Sequence, residues 1–184
     1  MKDHQQVTDL AREIQQQLAQ FPGLHMTPLE RLHMTVLLAG PSDRFSQDQL
    51  QQMITTVSAM LAGTPAIPVT IGGIVYHPEA IMLDVKPKRA LTRIHDAVQA
   101  ATLAVTSQDP DGVPPRWIPH VTVCYSTADQ ATTPIIAALG PQQRECQVQI
   151  ATASLVIQHG PERLWDWRDS ELTRCVIEGP AARD

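Results

Sequence analysis

Only three of the 184 residues are cysteines (Cys124, Cys146 and Cys175). An odd set with no paired metal-ligand spacing gives a disulfide framework or a structural zinc site no support and suits reduced thiols in a cytoplasm. Long apolar runs are missing too. None approaches the roughly 20 residues a membrane-spanning helix needs, and the start MKDHQQVTDL has no apolar segment of the signal-peptide kind. These absences point to a soluble, cytoplasmic protein without a membrane partner. Basic charge is short as well: 14 Lys and Arg stand against 19 Asp and Glu, for a net charge of -5 and an isoelectric point near 5.7. A protein that coats the nucleic-acid backbone needs a broad basic surface, so that mode is disfavoured. A small or terminal phosphate ligand stays open.

What is present reads as one globular unit spanning residues 1–184. The apolar fraction is 43% and the charged fraction 18%, as in a chain with an ordinary core, and 15 Pro and nine Gly punctuate the loops. Val7, Leu10, Ala11, Ile14 and Leu18 recur at helical spacing, which predicts a helix from about Thr8 to Gln20, stopped by the FPG at Phe21. Ser46 with Gln49 forms a capping-box pattern ahead of Leu50, Met53, Ile54, Val57 and Leu61, the mark of a second helix. The stretch AIPVTIGGIVYHPEAIMLDVKP predicts a hairpin turning at HPEA. A third helix is expected from Ala90 to about Thr106, then a loop, SQDPDGVPPR. TTPIIAALG reads as a short helix capped by Thr132 or Thr133 and closed by Gly140. CQVQIATASLVIQ reads as one or two strands, and Leu164 to Ile177 as a further strand in which WDWRDSELTR is ambiguous with helix.

Two of the seven His stand in one pattern. LHMTVLLAG begins at Leu32 and PHVTVCYST at Pro119, each a His, one spacer and a Thr running into apolar residues, with His33 and His120 separated by 87 positions. After each comes a polar turn, a helix and β-rich sequence. This weak internal repeat suits two pseudo-symmetric lobes, and an α+β fold with antiparallel sheets follows. In a strand, His33 shares a face with Thr35 and His120 with Thr122, each pair about 7 Å apart along the backbone. Two imidazoles of ordinary pKa about 6.5 can hold opposite protonation states near neutral pH, one as base and one as acid. The Thr hydroxyls can donate to non-bridging phosphate oxygens. Together these groups can open a phosphodiester in line without a metal or other cofactor.

The paired HMT and HVT, the second preceded by Pro119 and followed by VCYS, resemble the 2H phosphoesterase superfamily and, within it, the 2′,5′ RNA ligase-like proteins. The resemblance covers about Leu32 to Ile157. It implies a bilobal fold of two antiparallel sheets with outer helices around a central cleft. It also implies metal-independent chemistry on 2′,3′-cyclic phosphate ends of RNA or on small nucleotide phosphodiesters. Carried over, His33 and His120 are the acid and base and Thr35 and Thr122 the phosphate-orienting hydroxyls.

Secondary candidates each have a plain alternative. Arg31 shares the parity of His33 and can reach a phosphate or sit on a solvated rim. Trp117 and Tyr125 flank the second motif and can stack on a base or pack in the core. Cys124 shares the strand face of His120 and Thr122, as a small apolar filler rather than a nucleophile. His25, His77, His95 and His159 have no common spacing. Three functions fit: hydrolysis of a 2′,3′-cyclic phosphate or similar diester, with reversal as 2′,5′ ligation open in principle; the same chemistry on a cyclic oligonucleotide signal; or non-catalytic binding of a nucleotide or RNA end. No obligate protein partner is implied.

Overall fold

The computed structural model describes residues 4–106, 117–141, 144–161, 163–168 and 173–176. The expected loop SQDPDGVPPR, 107–116, lies outside them. Among the described residues no helix is long and apolar enough to cross a membrane.

Among the described residues, four α-helices and seven strands follow one another as α1 (Gln5–Leu18), β1 (Leu24–Met26), α2 (Gln47–Leu61), β2 (Ile67–His77), β3 (Ala80–Lys86), α3 (Thr92–Thr106), β4 (His120–Ser126), α4 (Thr132–Leu139), β5 (Cys146–Ile150), β6 (Thr152–Leu155) and β7 (Thr173–Val176). β1 to β5 form one antiparallel sheet in the order β1-β4-β3-β2-β5, and β6 and β7 form a two-stranded antiparallel sheet. The fold is therefore the α+β type expected.

α1 buries Val7, Leu10, Ala11, Ile14 and Leu18, the five residues its periodicity marks, against β4, β5 and α4. It starts at Gln5 rather than Thr8 because His4 takes the cap position. The capping box of α2 forms in full: Gln49 N–H donates to Ser46 Oγ at 3.2 Å, and Ser46 N–H to Gln49 Oε1 at 2.9 Å. α2 packs on α3 and beside β7. The hairpin turns at Pro78 and Glu79, between the paired His77 and Ala80. α3 begins at Thr92 after a 3-10 turn over Lys88–Leu91. Neither Thr caps α4. Both already lie inside the helix, Ala131 holds the cap position with no side-chain bond, and Gly140 at φ 67 closes the far end.

Two expectations about strands are corrected. The first His-x-Thr stretch is not a strand: after a 3-10 turn over Leu29–Arg31, residues 32–41 carry no ladder to any described strand. A strand exists only through such a ladder, whatever its sequence pattern. The tail is not one strand either. His159 and Asp166 form a bridge that closes an irregular loop, and among the described residues of the tail the strand is Thr173–Val176, paired with β6.

Candidate active site

The second motif sits on β4, flanked by β1 and β3. His120 lies opposite Asp84, and Thr122 opposite Met82. Between Met82 and Ile81 the register slips: Ile81 pairs with Cys124, which leaves Val123 as an extra residue on β4. A bulge of this kind changes which face the following residues take. Ile81, Leu83 and Val85 alternate into the core, so Cys124, opposite Ile81, joins them and is fully buried. The expectation that Cys124 shares the face of His120 and Thr122 is thereby corrected, and Tyr125 takes that face instead. Burial pushes the Cys124 thiol up to about 11, far from a thiolate.

The bulge also locates the first motif. Thr27 N–H donates to the Val123 carbonyl at 3.0 Å. Gln15 on α1 donates from Nε2 to both the Thr27 and the Val123 carbonyls, at 2.7 and 3.0 Å. From Thr27 the chain makes its 3-10 turn and buries Leu32 at 2% exposure, which sets His33 down beside it. His120 likewise follows a buried residue, Pro119.

The two imidazoles are held alike. Nδ1 of His33 lies 2.7 Å from the Arg31 carbonyl oxygen, and Nδ1 of His120 lies 2.8 Å from that of Ile118. A carbonyl can only accept, so Nδ1 of each ring carries the proton and Nε2 is left to accept or donate. Burial holds the His33 imidazole below its ordinary 6.5; the Arg31 carbonyl opposes this, and the charge of His120 adds to the depression. Thr122 is buried at 7% exposure, and Thr35 is half-buried.

A cleft of about 1240 Å³ opens between residues 32–42, α2, α3 and residues 150–158, with His33, Thr35, Trp165 and Trp167 in its wall. His120 and Thr122 are not in that wall. The cleft is mostly apolar; His33 stands in its wall, and the charge of His120 on β4 reaches the His33 ring.

Arg31 lays its guanidinium over Trp167, 5.0 Å from the ring centre, with Asp166 at 3.8 Å. Trp117 stacks on His95 at 4.9 Å and donates its indole N–H to the Thr35 carbonyl at 3.0 Å. The Tyr125 hydroxyl accepts from the Trp165 indole at 2.6 Å, and Arg163 lies over the Tyr125 ring at 5.7 Å. Of the remaining His, His95 supports Trp117 and His4 stands in the cleft wall, and among the described residues no three or more His, Cys, Asp or Glu gather as a metal cage would.

Sequence reasoning missed Trp165 and Trp167. They meet the His33 ring edge to face, with centroids 4.5 and 5.4 Å away. Two of the chain's three Trp, one residue apart in a stretch with no clear period, were the available signal. Trp165 and Arg163 both hold positive φ, 48° and 59°, a conformation costing an ordinary residue about 1–2 kcal/mol.

The sequence of residues 3–162 matches the 2'-5' RNA ligase superfamily. No curated protein sequence matches. Among solved structures, Escherichia coli LigT complexed with 3'-AMP superposes with a TM-score of 0.66 at 16% identity, over 92% of this chain and 92% of that one. LigT complexed with ATP gives 0.61 at 14% identity, over 93% and 92%. TT0787 of Thermus thermophilus gives 0.63 at 14% identity, over 95% of this chain and 90% of that one. At such identities the likeness establishes the fold, and with the family match over most of the length the chain belongs to the 2'-5' RNA ligase superfamily.

Proposed function

We propose that this protein is a metal-independent phosphodiesterase that hydrolyses a 2′,3′-cyclic phosphate or a related nucleotide diester. The observation that carries this reading is the matched anchoring of the two imidazoles, each through Nδ1 to the carbonyl two residues before it. Both Nε2 atoms are thereby available for proton transfer. His33, held below 6.5, is neutral at physiological pH and suits the base. Its Nε2 takes a proton from water as the water oxygen bonds to phosphorus. The bond from phosphorus to one ribose oxygen breaks, and His120 in its charged form protonates that oxygen. Thr35 and Thr122 donate to the non-bridging oxygens, where negative charge develops. With a ribose 5′-hydroxyl in place of water, losing its proton to His33 as its oxygen bonds to phosphorus, the same step breaks the bond to the 3′ oxygen, which His120 protonates, and leaves a 2′,5′ diester, which is ligation.

The acidic balance of the chain, net -5, favours a small or terminal phosphate over a long polyanion. LigT, of the same fold, has been crystallised with 3'-AMP and with ATP, ligands of that size. The test is turnover of nucleoside 2′,3′-cyclic phosphates, RNA with a cyclic phosphate end, and cyclic dinucleotides, in excess chelator. Conversion of a 2′,3′-cyclic substrate to a monoester at an undiminished rate is expected. Preference for cyclic dinucleotides would move the substrate class, and binding without turnover would overturn the enzyme reading.

A further inference from the structure

We propose that Trp165 is a positioning residue for the two-imidazole chemistry, clamping the His33 ring against the first motif and tying it to the strand that carries His120. The inference rests on the function proposed above and deepens it by assigning a role to the 159–168 loop.

Three contacts restrain the His33 ring. Its Nδ1 bonds to the Arg31 carbonyl at 2.7 Å, and it meets Trp165 at 4.5 Å and 64° and Trp167 at 5.4 Å and 85°. Edge-to-face packing at these separations fixes ring orientation as well as burying area. Trp165 is itself anchored on the other side of the site. Its indole N–H donates to the Tyr125 hydroxyl at 2.6 Å, and the Val123 bulge is what turns Tyr125 onto the face of His120 and Thr122. One indole therefore touches both halves of the pseudo-repeat. Trp167 completes the wall, pinned by the Arg31 guanidinium at 5.0 Å.

The backbone supports the same reading. A bulky residue at positive φ persists only where its surroundings over-determine it, and such residues gather at functional sites. Trp165, at φ 48°, is so held. The loop closes on itself through His159 N–H to the Asp166 carbonyl at 2.7 Å and Leu164 N–H to the Pro161 carbonyl at 3.3 Å. Arg163, also at positive φ, ties it to Glu79 in the hairpin turn at 3.4 Å. Among the described residues, His120 from β4 acts on His33 by its charge and Arg31 from its own segment by its backbone carbonyl, while the Arg31 guanidinium is paired with Asp166 of the loop. Against that background the two indoles withhold water from one side of the imidazole, favouring its neutral form.

The test compares Trp165→Ala, Trp165→Phe and Tyr125→Phe in the full chain. One readout is the titration of His33, followed by NMR on its ring Cε1–H without substrate and assigned with His33→Ala. The other is kcat and KM on the cyclic phosphate that the wild type turns over fastest. For Trp165→Ala the His33 midpoint is expected to rise by about half a pH unit or more, and kcat to fall about tenfold or more with KM little changed. Trp165→Phe keeps an aromatic face and recovers most of both. Tyr125→Phe, which removes only the acceptor hydroxyl, moves both the same way by less. An unmoved midpoint with a raised KM alone would make Trp165 a surface on which substrate stacks and would overturn the proposal. If Trp165→Ala does not fold, Tyr125→Phe decides, and no change in its midpoint or kcat overturns the proposal. Should the wild type turn over no substrate, the function reading fails by itself, while the titration still decides whether Trp165 governs His33.

Discussion

The indole N–H of Trp117 donates to the carbonyl oxygen of Thr35 at 3.0 Å, so the chain leading into the second His-x-Thr motif is fastened to the end of the first. The face of Trp117 is occupied by His95, stacked at 4.9 Å and 21°. Thr35 lies in the segment 32–41, which has no ladder to a described strand, so the bond from Trp117 is one of the ties that hold this segment to the rest of the fold.

Trp117→Phe retains the stacking and removes the donor. It is expected to cost about 1 kcal/mol of stability, the worth of one such bond, and to lower kcat more than it raises KM, because Thr35 loses its register. Thermal unfolding and steady-state kinetics on the same preparation check both parts. A pure KM effect would mean instead that Trp117 contacts substrate.

How far the sequence carries the reading depends on the kind of contact that decides each element. α1 was legible to the residue on its buried face, because Val7, Leu10, Ala11, Ile14 and Leu18 answer to a local period. The α2 cap was legible because Ser46 and Gln49 bond each other. LHMTVLLAG has strand composition, but a ladder depends on a neighbour far away in sequence, so the first motif forms none with a described strand. Strand parity puts Cys124 on the face of His120, but the bulge at Val123 arises from pairing with β3 and from the Thr27 and Gln15 bonds to its carbonyl. Nothing local marks Trp165 and Trp167, which reach back more than a hundred positions to His33. The pairing of His33 with Thr35 and of His120 with Thr122 rested on a repeated tripeptide, which needs no knowledge of contacts.

The acid limb of the kcat/KM profile should fall below pH 6.5. Burial lowers the His33 pKa from that value, so the neutral base persists to lower pH than for a solvated imidazole. Stability follows the same sign. Between the depressed folded value and 6.5 the unfolded chain binds a proton at His33 that the native chain does not, so this contribution is lost as pH drops through that window. From about pH 7 to about pH 5 the melting temperature of the wild type should fall relative to that of His33→Ala.

Cys124 should resist alkylation in the native protein. It is fully buried, and its thiol is pushed up to about 11, so little thiolate exists at neutral pH. Peptide mapping after iodoacetamide treatment should find it unmodified when folded and modified in denaturant. Modification of the native thiol would contradict the bulge that turns it inward.

Gly72→Ala should destabilise the sheet. A Cβ there would sit 2.8 Å from the Arg144 carbonyl oxygen and 2.9 Å from the Glu145 Cα, both backbone atoms that cannot simply rotate away. Overpacking of this kind costs about 1–3 kcal/mol. Denaturant unfolding gives the number, and an unchanged midpoint would show that the close approach of β2 to the lead-in of β5 is not maintained.

The two imidazoles acting as one unit is the central claim, and the double-substitution cycle tests it most directly. Hydrolysis of the preferred cyclic phosphate is measured in excess chelator for wild type, His33→Ala, His120→Ala and the double variant. Each single substitution should lower kcat by a factor of about 10² to 10⁴, the range of general acid or base catalysis. The double variant should be scarcely worse than either single, as for groups that serve one transition state. Substitutions whose losses simply multiply, or a variant that keeps wild-type turnover, would contradict the account.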